Sequence, residues 1–203
     1  MNSRFVELKD KELEISQDLN FGYAGEVWDA ALSFSNYLKK INFENKVILE
    51  LGAGTAICGL VAAADKGVKK VYLTDKECNL KIIEKNYEIN KDLLCKDVVI
   101  TGIDWCDEKT YSNIKNEEFD YIICSELIWN PILFSGLVNT LNCFSSINTV
   151  VLLSYTYRKP SDLEFFKMIK DNKWTIEEVN KEEIDEDYRD EYITIFKLRP
   201  PQI

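Results

Sequence analysis

Two hydrophobic periods alternate along the chain. "RFVELKDKELEISQ" switches between apolar and polar residues at every second position and breaks near Asp10, which predicts a two-stranded hairpin. In "EVWDAALSFSNYLKK" the apolar residues Val27, Ala30, Ala31, Phe34, Tyr37 and Leu38 recur at helical spacing. From there, near-continuous apolar runs take turns with helical patterns. "VILEL" predicts a strand, with a helix after it from Thr55 to Lys66 that stops at Gly67, a plausible C-terminal cap. "KVYLTD" is a strand and "CNLKIIEKNYEIN" a helix; "DVVITGIDW" is a strand followed by a polar loop. "FDYIICSE" precedes a helix from Pro131 to Phe144, and "TVVLLSYTY" precedes the helix "SDLEFFKMIKDN", opened by Pro160. "WTIEEVN" and "EYITIFKL" predict two last strands around an acidic loop.

Strands that alternate with helices imply parallel strands covered on both faces, and the unbroken apolar runs agree with that burial. The expected fold is an α/β single domain over residues 1–203. Residues 1–25 form a β-hairpin extension, and residues 26–203 form a Rossmann-like, seven-stranded, mostly parallel sheet with an antiparallel last strand. Ligands of such sheets bind beyond the carboxyl ends of the strands. Gly52 and Gly54, Asp75, Asp104 and Trp105, and Ser125 and Glu126 all sit there.

The stretch "ELGAGTAICG" narrows the ligand. Gly52 and Gly54 allow positive φ and a close backbone approach. A dinucleotide fingerprint needs a glycine at position 57, which is Ile57. A phosphate-binding loop needs Lys and Ser or Thr after its last glycine, but Leu60 follows Gly59. A nucleoside without phosphate remains, and S-adenosylmethionine fits: its amino-acid part can lie against the turn, with its carboxylate toward the helix N-terminus. Glu50 could then meet its ammonium, directly or through water. Asp75, about 20 residues beyond the turn, either accepts hydrogen bonds from the ribose hydroxyls or caps the next helix.

Composition adds exclusions. The formal charge is −10, which argues against nucleic acid and for a basic partner. The absence of histidine removes His-based triads and His zinc sites. None of the six cysteines forms a CxxC pair, so no metal site is expected and all six read as reduced core residues. No signal peptide and no apolar run of roughly 18 residues is visible. A cytoplasmic or nuclear setting, no membrane partner and a monomer are the expectations.

The segments "EVWDAA", "ILELGAGTAICGLVAA", "VYLTD", "GIDW" and "FDYIICSELIWNP" have the order and spacing of a known family. The chain resembles the class I, seven-stranded methyltransferases, and most of all the protein-lysine methyltransferases that modify molecular chaperones and translation elongation factors. The likeness runs from about Gly25 to Pro131 and more loosely to the C-terminus. It implies that Trp28 contacts the cofactor region, that Glu50, Gly52 and Gly54 hold the methionine part, that Asp75 binds the ribose, and that Asp104 and Trp105 flank the adenine. Where the family has Asp-x-x-Tyr on the substrate side, this chain has Glu126 and Trp129; Ala56 stands where many relatives have a third glycine.

The expected reaction is methyl transfer to a lysine of a protein substrate. Glu126 would orient the acceptor and stabilise the charge developing on nitrogen, and Trp129 would do so by cation–π contact. Blander roles stand beside these: a helix cap for Glu126, a core or rim ring for Trp129, core for Trp28, a sheet-edge cover for Trp105. Methylation of arginine, a protein N-terminus or a small molecule is the alternative chemistry, and a non-catalytic interaction scaffold the alternative class. The acidic loop would rim the site if the penultimate strand runs parallel to the first five, and would then attract a lysine-rich surface.

Overall fold

The computed structural model describes residues 2–65 and 67–202. Lys66, the expected end of the second helix, lies outside the described residues. A hairpin of β1 (Asn2–Glu7) and β2 (Glu12–Gln17) opens the chain. Helix α1 spans Asp29–Leu38, and β3 is Val47–Leu51. Next come α2 (Ile57–Ala63), β4 (Lys70–Asp75), α3 (Leu80–Asn90), β5 (Val98–Gly102) and β6 (Tyr121–Ser125). The chain closes with α4 (Phe134–Phe144), β7 (Val150–Thr156), α5 (Leu163–Asp171), β8 (Thr175–Glu178) and β9 (Ile193–Arg199).

The seven-stranded sheet has the order β5-β4-β3-β6-β7-β9-β8. Strands β3 to β7 pair in parallel, and β9 runs antiparallel to both of its neighbours, so β8 points the same way as the first five. The period-two pleat splits each strand between two cores. Ile48, Val71, Leu73, Ile123 and Leu152 face the layer of α1, α2, α3 and the hairpin. Leu49, Leu51, Tyr72, Ile122 and Leu153 face the layer of α4 and α5. The order reverses at β3, which has β4 on one side and β6 on the other. The glycine turn follows this switch point.

Two buried asparagines on α3 tie the hairpin to the domain. Asn86 and Asn90, one helical turn apart, receive hydrogen bonds from the backbone N–H of Ser16 (2.8 Å) and Glu14 (3.0 Å) and donate to the carbonyls of the same two residues. Asn86 also donates to the carbonyl of Thr55 at 2.9 Å, in the turn before α2.

Several expectations are corrected. Helix α2 starts at Ile57 and ends at Ala63, shorter than Thr55 to Lys66, because Ala56 adopts φ +61° and ends the turn there. The helices predicted at Cys78, Pro131 and Pro160 each begin with one 3-10 turn, and α3, α4 and α5 follow it. A 3-10 segment at Leu19–Gly25 was not expected at all. All six cysteines are free, but only Cys58, Cys95 and Cys124 are buried; Cys78, Cys106 and Cys143 are exposed.

Candidate active site

A cavity of about 840 Å³ opens at the carboxyl ends of β3, β4 and β6. Its floor is the turn after β3. Gly52 (φ +60°), Gly54 (φ +53°) and Ala56 (φ +61°) occupy the left-handed region at alternate positions. Space as well as φ demands glycine at the first two. A β-carbon at Gly52 would lie 2.6 Å from Leu127 and 3.0 Å from the Trp105 ring, and one at Gly54 would lie 3.0 Å from the Ala24 carbonyl. Ala56 bears the left-handed penalty of about 1–2 kcal/mol for an L-residue.

Two carboxyl groups flank this turn in different ways. Glu50, the fourth residue of β3, is 1% exposed, and its Oε2 has no hydrogen-bond partner among the described residues. Burial drives its pKa well above the ordinary 4.5; the Gly59 N–H close by opposes the rise without meeting hydrogen-bond geometry, and the Asp75 charge adds to it. Asp75, at the end of β4, is engaged by three donors instead. Its Oδ2 accepts from Gly54 N at 2.8 Å; its Oδ1 accepts from Lys76 N (2.7 Å) and Asn79 Nδ2 (2.8 Å). It is not a helix cap, since the residue capping the next turn is Lys76. Three of about four acceptor sites are used.

The other expected residues distribute as follows. Trp28, Trp105, Ser125, Glu126 and Trp129 line the cavity with Glu50, Gly52, Gly54 and Asp75. Asp104 does not; its carboxylate accepts from Cys106 N at 2.9 Å and lies 3.7 Å from Lys76 Nζ. Trp28 and Trp129 are 36% and 45% exposed, so neither is a core ring. Glu126 has φ +58° just beyond β6 and caps no helix; Asn130 caps the turn at Pro131. Both Glu126 oxygens are occupied. Oε1 accepts from Thr156 Oγ1 at 2.7 Å, and Oε2 is ion-paired with Arg158.

Sequence reasoning missed two contributors. The 3-10 segment Leu19–Gly25 straps over the glycine turn: Phe21 to Ala24 line the cavity, and the Tyr23 carbonyl accepts from Trp28 Nε1 at 3.1 Å. The Tyr23 ring lies 5.8 Å from Trp28 and 5.9 Å from Trp129, bridging two sides of the mouth. Its one signal was "FGYAG", two glycines around an aromatic residue before a helix. Arg158 also lines the cavity; no local pattern marks it.

The acidic loop does follow a strand parallel to the first five, yet none of its residues lines the cavity. It is anchored on α1 instead. Asp185 accepts from Asn36 (2.8 Å) and Lys40 (2.5 Å), which lower its pKa in that order, and Ile184 is buried. Just beyond the loop, the Tyr192 carbonyl accepts from Tyr157 N at 3.4 Å.

Four carboxyl groups (Glu26, Glu50, Asp75, Glu126) and two cations (Lys76, Arg158) line the cavity. That balance suits a cationic ligand. The orphaned, buried Glu50 oxygen awaits a donor, and the glycine cradle bears no phosphate-binding cation of its own. The residues present fit S-adenosylmethionine.

Comparison with known proteins bears on the chemistry. The chain is 33% identical over 163 residues to the protein N-lysine methyltransferase METTL21A of Xenopus tropicalis, covering 78% of this chain and 73% of that protein. It is 28% identical over 193 residues to EEF1A lysine methyltransferase 3 of Xenopus tropicalis, covering 92% and 80%. Among solved structures, the ribosomal protein L11 methylase of Lactobacillus delbrueckii subsp. bulgaricus shares the fold, with a TM-score of 0.64, 15% identity and coverage of 88% and 82%. The model of one family, described as lysine methyltransferase, matches residues 7–172. This chain belongs to the lysine methyltransferase family.

Proposed function

We propose a division of labour within the cavity for the S-adenosylmethionine-dependent protein-lysine methylation that this enzyme performs. Glu50 receives the cofactor's ammonium, Gly52 and Gly54 lie against its amino-acid part, and Asp75 takes the ribose. The carrying observation is the buried Glu50 oxygen without a partner among the described residues, on a side chain that lines the same cavity as the glycine turn. One acceptor site on Asp75 is open to a hydroxyl, and a second hydroxyl would compete with Asn79. Trp105, against Gly52, is the ring best placed for the adenine side; Asp104 acts on it only through the loop they share.

The bound cofactor supplies a methyl group on sulfonium, whose C–S bond breaks as the N–C bond forms. The protein must deliver a neutral amine in line with it. Lysine with a pKa near 10.4 is neutral in roughly one molecule per thousand at cytosolic pH, a deficit of about 4 kcal/mol. Tyr23, Trp28 and Trp129 at the mouth wrap the aliphatic stem and exclude water, which favours the neutral form. The proton leaves to bulk water: the chain has no histidine, and Glu126 is already ion-paired with Arg158.

For the substrate we favour a lysine on a folded acceptor protein, with an elongation factor or a molecular chaperone as candidates. The name of the EEF1A-modifying relative supports the first. The chain's acidity supports a basic docking surface and speaks against nucleic acid. We take the enzyme to act as a monomer, and six free cysteines suit a reducing cytoplasmic or nuclear compartment. No helix among the described residues is long and apolar enough to cross a membrane. The test is calorimetric titration with S-adenosylmethionine, followed by transfer of tritiated methyl groups to lysate proteins and acid hydrolysis. Cofactor binding abolished by Glu50→Ala or Asp75→Ala, with label in methyllysine, is expected. Label in methylarginine, or full binding by both variants, refutes the assignment.

A further inference from the structure

The ion pair between Arg158 and Glu126 changes what the acceptor side of the cavity can do. Glu126 was expected to meet the acceptor nitrogen as a lone carboxylate. It does not stand alone. Its side chain is 7% exposed, Thr156 holds one oxygen and Arg158 the other. Arg158 is itself held at both ends. Its Nη1 donates to the Thr156 carbonyl at 3.3 Å, and its backbone N–H donates to Asp162 Oδ2 at 3.2 Å. Asp162 is fully buried and also accepts from Lys159 N and Tyr155 OH. The guanidinium is still 37% exposed and lines the cavity, so it reaches the space an acceptor would enter.

An arginine cannot release its proton in a protein. A lysine that approaches Glu126 as an ammonium ion must therefore share the carboxylate with a permanent cation, and like charge disfavours the protonated amine. A lysine that arrives neutral meets no such opposition and keeps its lone pair for the methyl group. We infer that Arg158 is a specificity-determining residue that makes the cavity select the neutral form of the acceptor lysine, by occupying the carboxylate that would otherwise hold the ammonium form. The inference rests on the proposed use of this cavity for lysine methylation. The amine's proton goes to bulk water before transfer, and a second proton follows it after the N–C bond has formed. Arg158 touches Glu126 and no reacting atom, so its role is to set the electrostatic balance.

Other charged groups face the same space and must be held constant. Glu26 lies before α1, Glu50 is on β3, Asp75 ends β4 and Lys76 follows it; Cys58 is buried, and its thiol is pushed far up by that burial.

The experiment measures methyllysine formed in lysate proteins from tritiated S-adenosylmethionine, at saturating cofactor, from pH 6.5 to 10. Wild type, Arg158→Met, Arg158→Lys and Glu126→Gln are compared, with thermal melting as a check on folding. Arg158→Met is expected to lower the rate about tenfold near pH 7.5 and to move the alkaline midpoint up by about one pH unit, the deficit closing as pH rises. Arg158→Lys, which keeps the cation, is expected to return the midpoint to the wild-type value. Glu126→Gln, which leaves the guanidinium unopposed, is expected to move it down. Superimposed profiles for wild type and Arg158→Met, or midpoints displaced in the same direction by Arg158→Met and Glu126→Gln, overturn the inference and leave the methyltransferase reading intact. If Arg158→Met does not fold, the direction of the Glu126→Gln shift decides alone. Wild-type enzyme that puts no label into methyllysine overturns both.

Discussion

Gly59 is where the core and the cavity compete for the same space. It stands in the first turn of α2, and a β-carbon there would lie 2.2 Å from Leu73 Cδ2 and 2.3 Å from Glu50 Oε2. Two opposing effects set the outcome of Gly59→Ala. Helix propensity favours alanine by up to about 1 kcal/mol. Overpacking opposes it: Leu73 is fully buried on β4 and cannot swing away freely, and forced shifts of that kind cost about 1–3 kcal/mol. The balance is a net loss of about 1 kcal/mol, or a fall in Tm of about 2–4 °C for a chain of this size. Displacement of the Glu50 carboxyl adds a separate effect, a loss of at least about tenfold in S-adenosylmethionine affinity, corresponding to roughly 1.4 kcal/mol. Scanning fluorimetry and calorimetric titration measure the two independently. Leu73→Val separates them further. The shorter valine, one carbon smaller and without δ-carbons, costs about 1 kcal/mol in the wild type and close to nothing in the Gly59→Ala background, while the affinity stays low because Glu50 is still displaced. A rise of 2–4 °C with unchanged affinity, the result that propensity alone would give, refutes the reasoning.

Glu50→Gln separates stability from binding. The folded carboxyl titrates above its unfolded value near 4.5, so the empty wild type loses stability as pH rises from that value to the folded one, and carries the full penalty above it. The variant is expected to melt higher than wild type at neutral pH, by a margin that shrinks toward pH 4, while binding the cofactor at least about tenfold more weakly; a pH-independent difference in melting refutes this. Asp75→Asn puts an amide where three donors converge, and is expected to cost about 1–2 kcal/mol in denaturant unfolding and most of the cofactor affinity; unchanged stability counts against the role of Asp75 in holding Gly54. Charge reversal at Glu186, Asp187, Asp190 and Glu191 tests the acidic loop: kcat/KM on a protein substrate is expected to fall about tenfold at low ionic strength and to recover in high salt, and a salt-independent ratio ends the idea of steering. A thiol reagent is expected to modify Cys78, Cys106 and Cys143 quickly in the native enzyme, with Cys58, Cys95 and Cys124 reacting only after denaturation; six fast thiols refute the burial pattern.

The parts of the fold legible in the sequence are those where one periodicity rules. Ile48, Leu49 and Leu51 are buried on both faces of one strand, so "VILEL" has a single reading, and the same holds for "YIICS". Gly52 and Gly54 were legible because only glycine fits a left-handed turn against Leu127 and Ala24. The Leu19–Gly25 strap was not, since its seven residues follow no period and Gly22 reverses direction within it. Arg158 was invisible for another reason. Its partner lies 32 positions away on a different strand end, and a lone arginine in a polar loop carries no sign of a long-range contact. The acidic loop misled because strand direction alone does not determine where a loop goes; Asn36 and Lys40 draw it over α1.

The pair of asparagines on α3 has a reach beyond anchoring the hairpin. By offering amide groups at the spacing of a neighbouring strand, they complete the outer ladder of β2 with side chains and so close an edge that another polypeptide could have joined. Asn86 extends that contact to Thr55, so the glycine turn after β3 is braced, through α3, by the β1–β2 hairpin. Losing the first seventeen residues would therefore strip the two amide oxygens of their donors and slacken the glycine turn in a single stroke.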